Sequence, residues 1–138
     1  ERYSHDIIAK NKEFVINLTN KQLTYATDWC GVRTGAKVDK FKEMHLTKEK
    51  GKFVKCPLIK ESPVSIECKV KEVRHLGSHD MFIADVLSID ADEKYIDNKG
   101  AFDITKCDLI TYANGKYFTL GKQVGKFGYS VQKKKRRN

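Results

Sequence analysis

No stretch of the 138-residue chain approaches eighteen consecutive apolar residues, so no segment is built to cross a membrane as a helix. Proline occurs only twice, and no repeat or Gly/Ser-rich tract is present, so most of the chain is not linker. There is no Cys-x-x-Cys, and no histidine stands at a zinc-ligand interval from a cysteine pair. The Gly-x-Gly-x-x-Gly and Gly-x-x-x-x-Gly-Lys-Ser/Thr phosphate loops are missing, as are His-Glu-x-x-His and Gly-x-Ser-x-Gly. These absences remove two common nucleotide fingerprints and two familiar hydrolase signatures. No signal-peptide pattern is visible, and a start at Glu1 is read as a trimmed beginning or a fragment.

What remains is one domain's worth of sequence, able to bury a core. Hydrophobic residues make up 40% and charged residues 33%, a balance that folds and dissolves. The formal charge is +9. Five of the basic residues form the run Lys133–Arg137, and without them 22 bases face 18 acids, a balance of +4. The body, residues 1–131, is therefore mildly basic, and residues 132–138 read as a basic disordered tail. A nucleic-acid contact through that tail is the disfavoured reading. Cys30, Cys56, Cys68 and Cys107 are spaced 26, 12 and 39 apart, which suits free thiols in a reducing, cytoplasmic compartment. Cys68 alternates with apolar neighbours and reads as a core residue.

Ser4 is placed to cap a short helix over about residues 6–12. Glu13 to Leu18 reads as a buried strand. Thr19 with Gln22 has the capping-box pattern, and the following helix sets Leu23, Ala26 and Cys30 on one face and stops at Gly31. A second short helix carries Val38 and Phe41. The period then changes. Val64, Ile66, Cys68 and Val70 alternate with polar residues, as in a half-buried strand. Met81 to Ile89 reads as a long, mostly buried strand after a turn at Gly77. Residues 97–100 form a turn, and Asn114-Gly115 is a type I′ hairpin signal. Helices first and antiparallel hairpins after make a mainly β, α+β pattern. It suits a small barrel with Greek-key-like antiparallel strands and short helices outside. Residues 126–131 faintly mimic an aromatic RNA-binding strand, a likeness treated as coincidence.

Several pieces occur together in order: Arg2-Tyr3-Ser4, Phe14–Leu18, Asp28-Trp29-Cys30-Gly31, Asp39-Lys40-Phe41, Cys56-Pro57-Leu58, Gly77-Ser78-His79-Asp80 and Tyr112–Tyr117. The ordered set resembles the flavin reductase-like family, the FMN-binding split barrel that includes flavoredoxins. The resemblance implies a split β-barrel that binds FMN, with NAD(P)H as a donor and flavin or a protein as acceptor. It implies a homodimer with the flavin near the interface. It also implies further N-terminal strands that nothing here matches, the chain beginning where that segment ends.

The site residues follow from the resemblance together with the needs of FMN, a phosphate joined to a broad apolar ring. Lys40 stands beside a helix start and is assigned to phosphate or flavin, where composition alone gives a solvated lysine. Ser4 and Arg2 are assigned to the same anion, with capping and free solvation as their plain alternatives. His79, read as opening the central strand, is placed near the flavin. Asn17 is assigned to the flavin edge or to a backbone hydrogen bond. Tyr112 is assigned to ring packing or to the core. Cys30 is given no redox role, and no catalytic side chain is named, because hydride transfer to a flavin needs no protein acid or base. Two other readings stand beside this one: a family member that has lost flavin and serves in interactions, and a basic nucleic-acid-binding module.

Overall fold

The computed structural model describes residues 2–132, and the run at residues 133–138, expected to be a disordered tail, lies outside them. Helix α1 (Tyr3–Asn11) ends at Lys12, whose left-handed φ of 58° turns the chain into strand β1 (Glu13–Asn17). β1 pairs antiparallel with β4 (Val64–His75), which pairs antiparallel with β5 (Asp80–Ala91). Between them come α2 (Thr24–Val32), α3 (Lys40–Glu43) and the small pair β2 (Lys48–Glu49) and β3 (Leu58–Ile59). A separate hairpin, β6 (Ile110–Ala113) and β7 (Lys116–Thr119), turns at Asn114 and Gly115 with φ of 49° and 73°, as the sequence pair predicts. Antiparallel strands with short helices are the expected class.

The β1–β4–β5 sheet has two different faces. One carries the cross-strand row Ile16–Ile66–Ile89 and, beside it, Phe14–Cys68–Val86. Cys68 is buried there, but Val86 and Ile89 are 58% and 64% exposed. The opposite face carries Asn17, Ser65 and Glu67 and is covered by residues 48–59. Glu67 is fully buried and accepts the Lys52, Phe53 and Val54 amides at 3.0, 2.8 and 2.9 Å. A buried carboxylate is tolerated because each accepted amide replaces a lost water contact.

Several boundaries differ from the expectation. α1 starts at Tyr3, so Ser4 lies inside the first turn and Arg2, in extended conformation, holds the N-cap position without a side-chain cap. The Thr19–Gln22 box does not form; Asn20 caps instead, its Oδ1 accepting the Leu23 amide at 3.1 Å and opening a short 3₁₀ turn. Asparagine is the stronger cap, and it stands one residue nearer the turn. α2 runs through Gly31 to Val32, where the Arg33 amide still reaches Trp29 O. His79 does not open β5. It closes the turn, its carbonyl accepting the Leu76 amide at 2.9 Å, while Gly77 supplies the φ of 86° that this turn requires. Residues 126–131 hold a 3₁₀ turn rather than a strand, which disposes of the RNA-binding likeness.

Candidate functional site

The C-terminus of α2 leaves carbonyls without intrahelical partners, and cations are favoured there. Two arrive from different elements. Arg2 Nη1 donates to Gly31 O at 3.2 Å, and Lys40 Nζ donates to Cys30 O at 2.5 Å. Asp39 fixes the start of α3, accepting the Phe41 and Lys42 amides at 3.0 and 3.3 Å, which aims Lys40 back at α2.

Around this junction lies an open groove of about 1180 Å³. Arg2, Arg33, Lys37, Lys40 and Lys48 line it against a single carboxylate, Asp39. Tyr3, Ile7, Val38 and Phe41 supply apolar wall. Lys48 Nζ lies 5.0 Å from the Phe41 ring centroid and 3.9 Å from Asp39 Oδ2. Loop 33–39 packs closely here: a Cβ on Gly35 would stand 3.4 Å from the Tyr3 ring. Burial pushes the Cys30 thiol up, opposed by the nearby Lys40 charge, so it sits in the wall as a neutral thiol.

Arg2 and Ser4 also border a second groove, of about 480 Å³, lined further by His5 on the same helix, the 77–79 turn, Asp80 and Phe82. His79 Nδ1 lies 2.9 Å from Ser78 Oγ. Asp80 bonds two imidazoles, His5 Nε2 at 2.7 Å and His75 Nδ1 at 2.8 Å. Hydrogen bonds from His5 and then His75 hold its carboxyl below the usual aspartate range.

The structure thus brings together four of the six residues singled out in the sequence. Arg2, Ser4 and Lys40 share the larger groove, and Arg2, Ser4 and His79 share the smaller. Asn17 and Tyr112 line neither. Asn17 Oδ1 accepts the Ile59 amide at 3.0 Å and the Ser65 hydroxyl at 2.8 Å, joining β1, β3 and β4. Tyr112 is 66% exposed on the hairpin, its ring 5.1 Å from that of Tyr117. The Tyr117 hydroxyl donates to Asp28 on α2 at 3.0 Å, and burial followed by that carboxylate raises its pKa. Sequence reasoning missed His5, Arg33, Lys37 and Lys48. Only His5 carried a signal, as the neighbour of Ser4 in the first turn; Arg33 and Lys37 lie in the loop after α2 and Lys48 in the two-residue strand β2, with no local pattern to mark them. Among the described residues no cluster of His, Cys, Asp and Glu could hold a metal ion. No helix among them is long and apolar enough to cross a membrane.

Comparison with known proteins places this geometry. The flavin reductase-like domain model matches residues 1–121. The flavoredoxin of Desulfovibrio vulgaris (Miyazaki F) superposes with a TM-score of 0.86 at 26% identity, covering 95% of this chain and 71% of that one. The flavoredoxin from Methanosarcina acetivorans gives 0.81 at 30% identity, covering 96% and 72%. An uncharacterized protein of Archaeoglobus fulgidus is 31% identical over 118 residues, 86% of this chain and 66% of that protein. The chain therefore spans just under two thirds of that relative's length. The fold is that of the split-barrel flavin reductases, and the chain belongs to the flavin reductase-like family.

Proposed function

We propose that the protein binds FMN in the cationic groove and acts as an oxidoreductase of the flavin reductase or flavoredoxin type, taking electrons from NAD(P)H or another carrier and passing them to flavin or a protein acceptor. The observation that carries this reading is the pairing of five cations with an aromatic and aliphatic wall in one groove of about 1180 Å³. A phosphate ester joined to a flat apolar ring needs both. When bound, FMN supplies a ring that accepts a hydride and releases electrons onward.

The protein's own residues bind and orient. Arg2 and Lys40 are held by the α2 carbonyls, so their charges are fixed before an anion arrives and little side-chain entropy is lost on binding. Arg33 and Lys37 add charge from the loop. Ser4, in the first turn of α1, offers a hydroxyl near the helix N-terminus, where amides and the dipole favour an anion. Tyr3 and Phe41 present apolar surface to the ring, and His79 faces the adjoining groove, which suits a donor or acceptor placed beside the flavin. Asn17 and Tyr112 join this set only if FMN extends beyond the two grooves, toward β3 or toward the hairpin. The exposed apolar face with Val86 and Ile89 supports a homodimer, since a second copy would cover it.

Titration of the purified chain with FMN, followed by flavin fluorescence and absorbance, tests the reading. Saturable binding near one flavin per chain is the expected result, after which NADH and NADPH are compared as reductants. No quenching and no flavin bands at any flavin concentration would remove FMN from the proposal.

A further inference from the structure

We propose that His5 is a positioning residue for the anion groove: as an imidazolium it pins the first turn of α1, which carries Arg2 and Ser4, to Asp80 at the head of β5. The inference rests on the flavin reading for its purpose but not for its geometry.

His5 lies between two carboxylates. Its Nε2 is 2.7 Å from Asp80 Oδ2, and its Nδ1 is 3.0 Å from Asp6 Oδ1. An ionised carboxylate only accepts hydrogen bonds, so both contacts form together only when both ring nitrogens carry protons. The two partners differ. The Asp80 side chain is 15% exposed and the Asp6 side chain 71%, so the bond across elements is the sheltered one. His75 Nδ1 approaches the other Asp80 oxygen at 2.8 Å, tying β4 into the same clamp. The His5 ring also meets Phe82 of β5 edge to face, with centroids 5.5 Å apart. Among the described residues, Asp6 on its own helix and Asp80 on β5 bond to the ring, His75 on β4 bonds to Asp80, and Arg2 and His79 line the same groove.

Losing one proton from His5 turns a lone pair toward one carboxylate. The exposed Asp6 contact, within the same turn, is then lost first, and the bond to Asp80, the tether across elements, loses its charge assistance and weakens. Arg2 and Ser4, which border both grooves, move with that turn. Anion affinity should therefore fall as pH rises through the His5 titration, in a way that a non-titrating donor at position 5 would abolish. Glutamine at position 5 keeps an N–H for Asp80 and cannot titrate.

The experiment uses the whole chain, labelled with 15N-histidine. Long-range proton–nitrogen spectra near pH 7 read the ring state directly. The expected result is His5 protonated on both nitrogens, a state lost in Asp80→Asn. FMN titrations of the parent, His5→Gln, His5→Ala and Asp80→Asn are then run near pH 6 and near pH 8. The parent should weaken between the two by about fivefold more than His5→Gln does, the comparison cancelling the titration of the FMN phosphate itself. His5→Ala and Asp80→Asn should bind about tenfold more weakly than the parent near pH 6; His5→Gln, a single neutral donor, should match the parent near pH 8 and lie about fivefold below it near pH 6. A neutral His5 ring near pH 7, or variants that share the parent's affinity and pH profile, would overturn the proposal. Should the parent bind no FMN, the flavin reading fails by itself. The clamp is then judged by the ring state and by amide exchange in α1, which Asp80→Asn should accelerate and an idle contact would leave unchanged.

Discussion

Replacing Glu67 by glutamine tests the packing beneath the site. The buried carboxylate takes three amides, Lys52 on one oxygen and Phe53 and Val54 on the other. Glutamine keeps a single acceptor oxygen. If that oxygen takes Phe53 and Val54, the side-chain NH₂ faces the Lys52 amide, donor against donor. Two charge-assisted bonds become neutral ones, at about 1 kcal/mol each, and one part-buried amide loses its partner, at about 1–3 kcal/mol. The sum is about 3 to 5 kcal/mol. For a chain of this length that lowers the melting midpoint by about 10–15 °C. The assay is thermal unfolding by circular dichroism at neutral pH, checked by urea unfolding. A midpoint within about 3 °C of the parent would refute the reasoning, since it would mean that the three amides find other partners at no cost. Gly51→Ala gives an independent reading of the same nest. Its Cβ would lie 2.8 Å from Glu67 Oε2 and 2.9 Å from Val54 O, so it too should destabilise.

Further outcomes follow from the same geometry. Arg2→Ala and Lys40→Ala should each weaken FMN binding by about tenfold and flatten its salt dependence, with the melting point little changed; equal affinity in fluorescence titrations would count against the cationic groove. Gly115→Val should cost about 1–2 kcal/mol through the left-handed φ of 73° while leaving flavin affinity intact, as thermal melts and titrations together would show. Asp80, Asp90 and Asp97 are held below the ordinary aspartate range, chiefly by bonds from His5, Lys52 and the Ala101 amide. Groups depressed in the folded state stabilise it above their unfolded pKa, and that stability goes as pH falls through the folded value. The melting point should therefore hold from neutral pH to about pH 4 and drop below it. A steady decline already between about pH 7 and pH 5 would contradict this.

Much of the fold was legible because its signals are local. The alternation from Val64 to Val70 set the central strand, although β4 runs on to His75 because pairing with β5 continues there. Asn114-Gly115 fixed the hairpin through backbone sterics alone. Helix starts were read less well. Thr19 and Ser4 are plausible caps in isolation, but Asn20 makes the cap that opens the 3₁₀ turn, and α1 already begins at Tyr3 with Arg2 at its N-cap position and no side-chain cap.

The sequence by itself determined the longer strands, the hairpin turn, the family and four residues that meet at the grooves, because each depends on neighbours in the chain or on a recognisable ordered set; the two-residue strands β2 and β3 carried no such signal. Tertiary structure alone decided that Arg2 and Lys40, 38 positions apart, share the C-terminus of α2, and that His5 reaches Asp80 across 75 positions. It also decided that Asn17 faces Ile59 and Ser65 away from both grooves. The physical reason is the same in each case: a side chain's charge or hydrogen-bonding capacity is written in the sequence, but the partner that satisfies it is chosen by which elements the packed core brings within 3 Å.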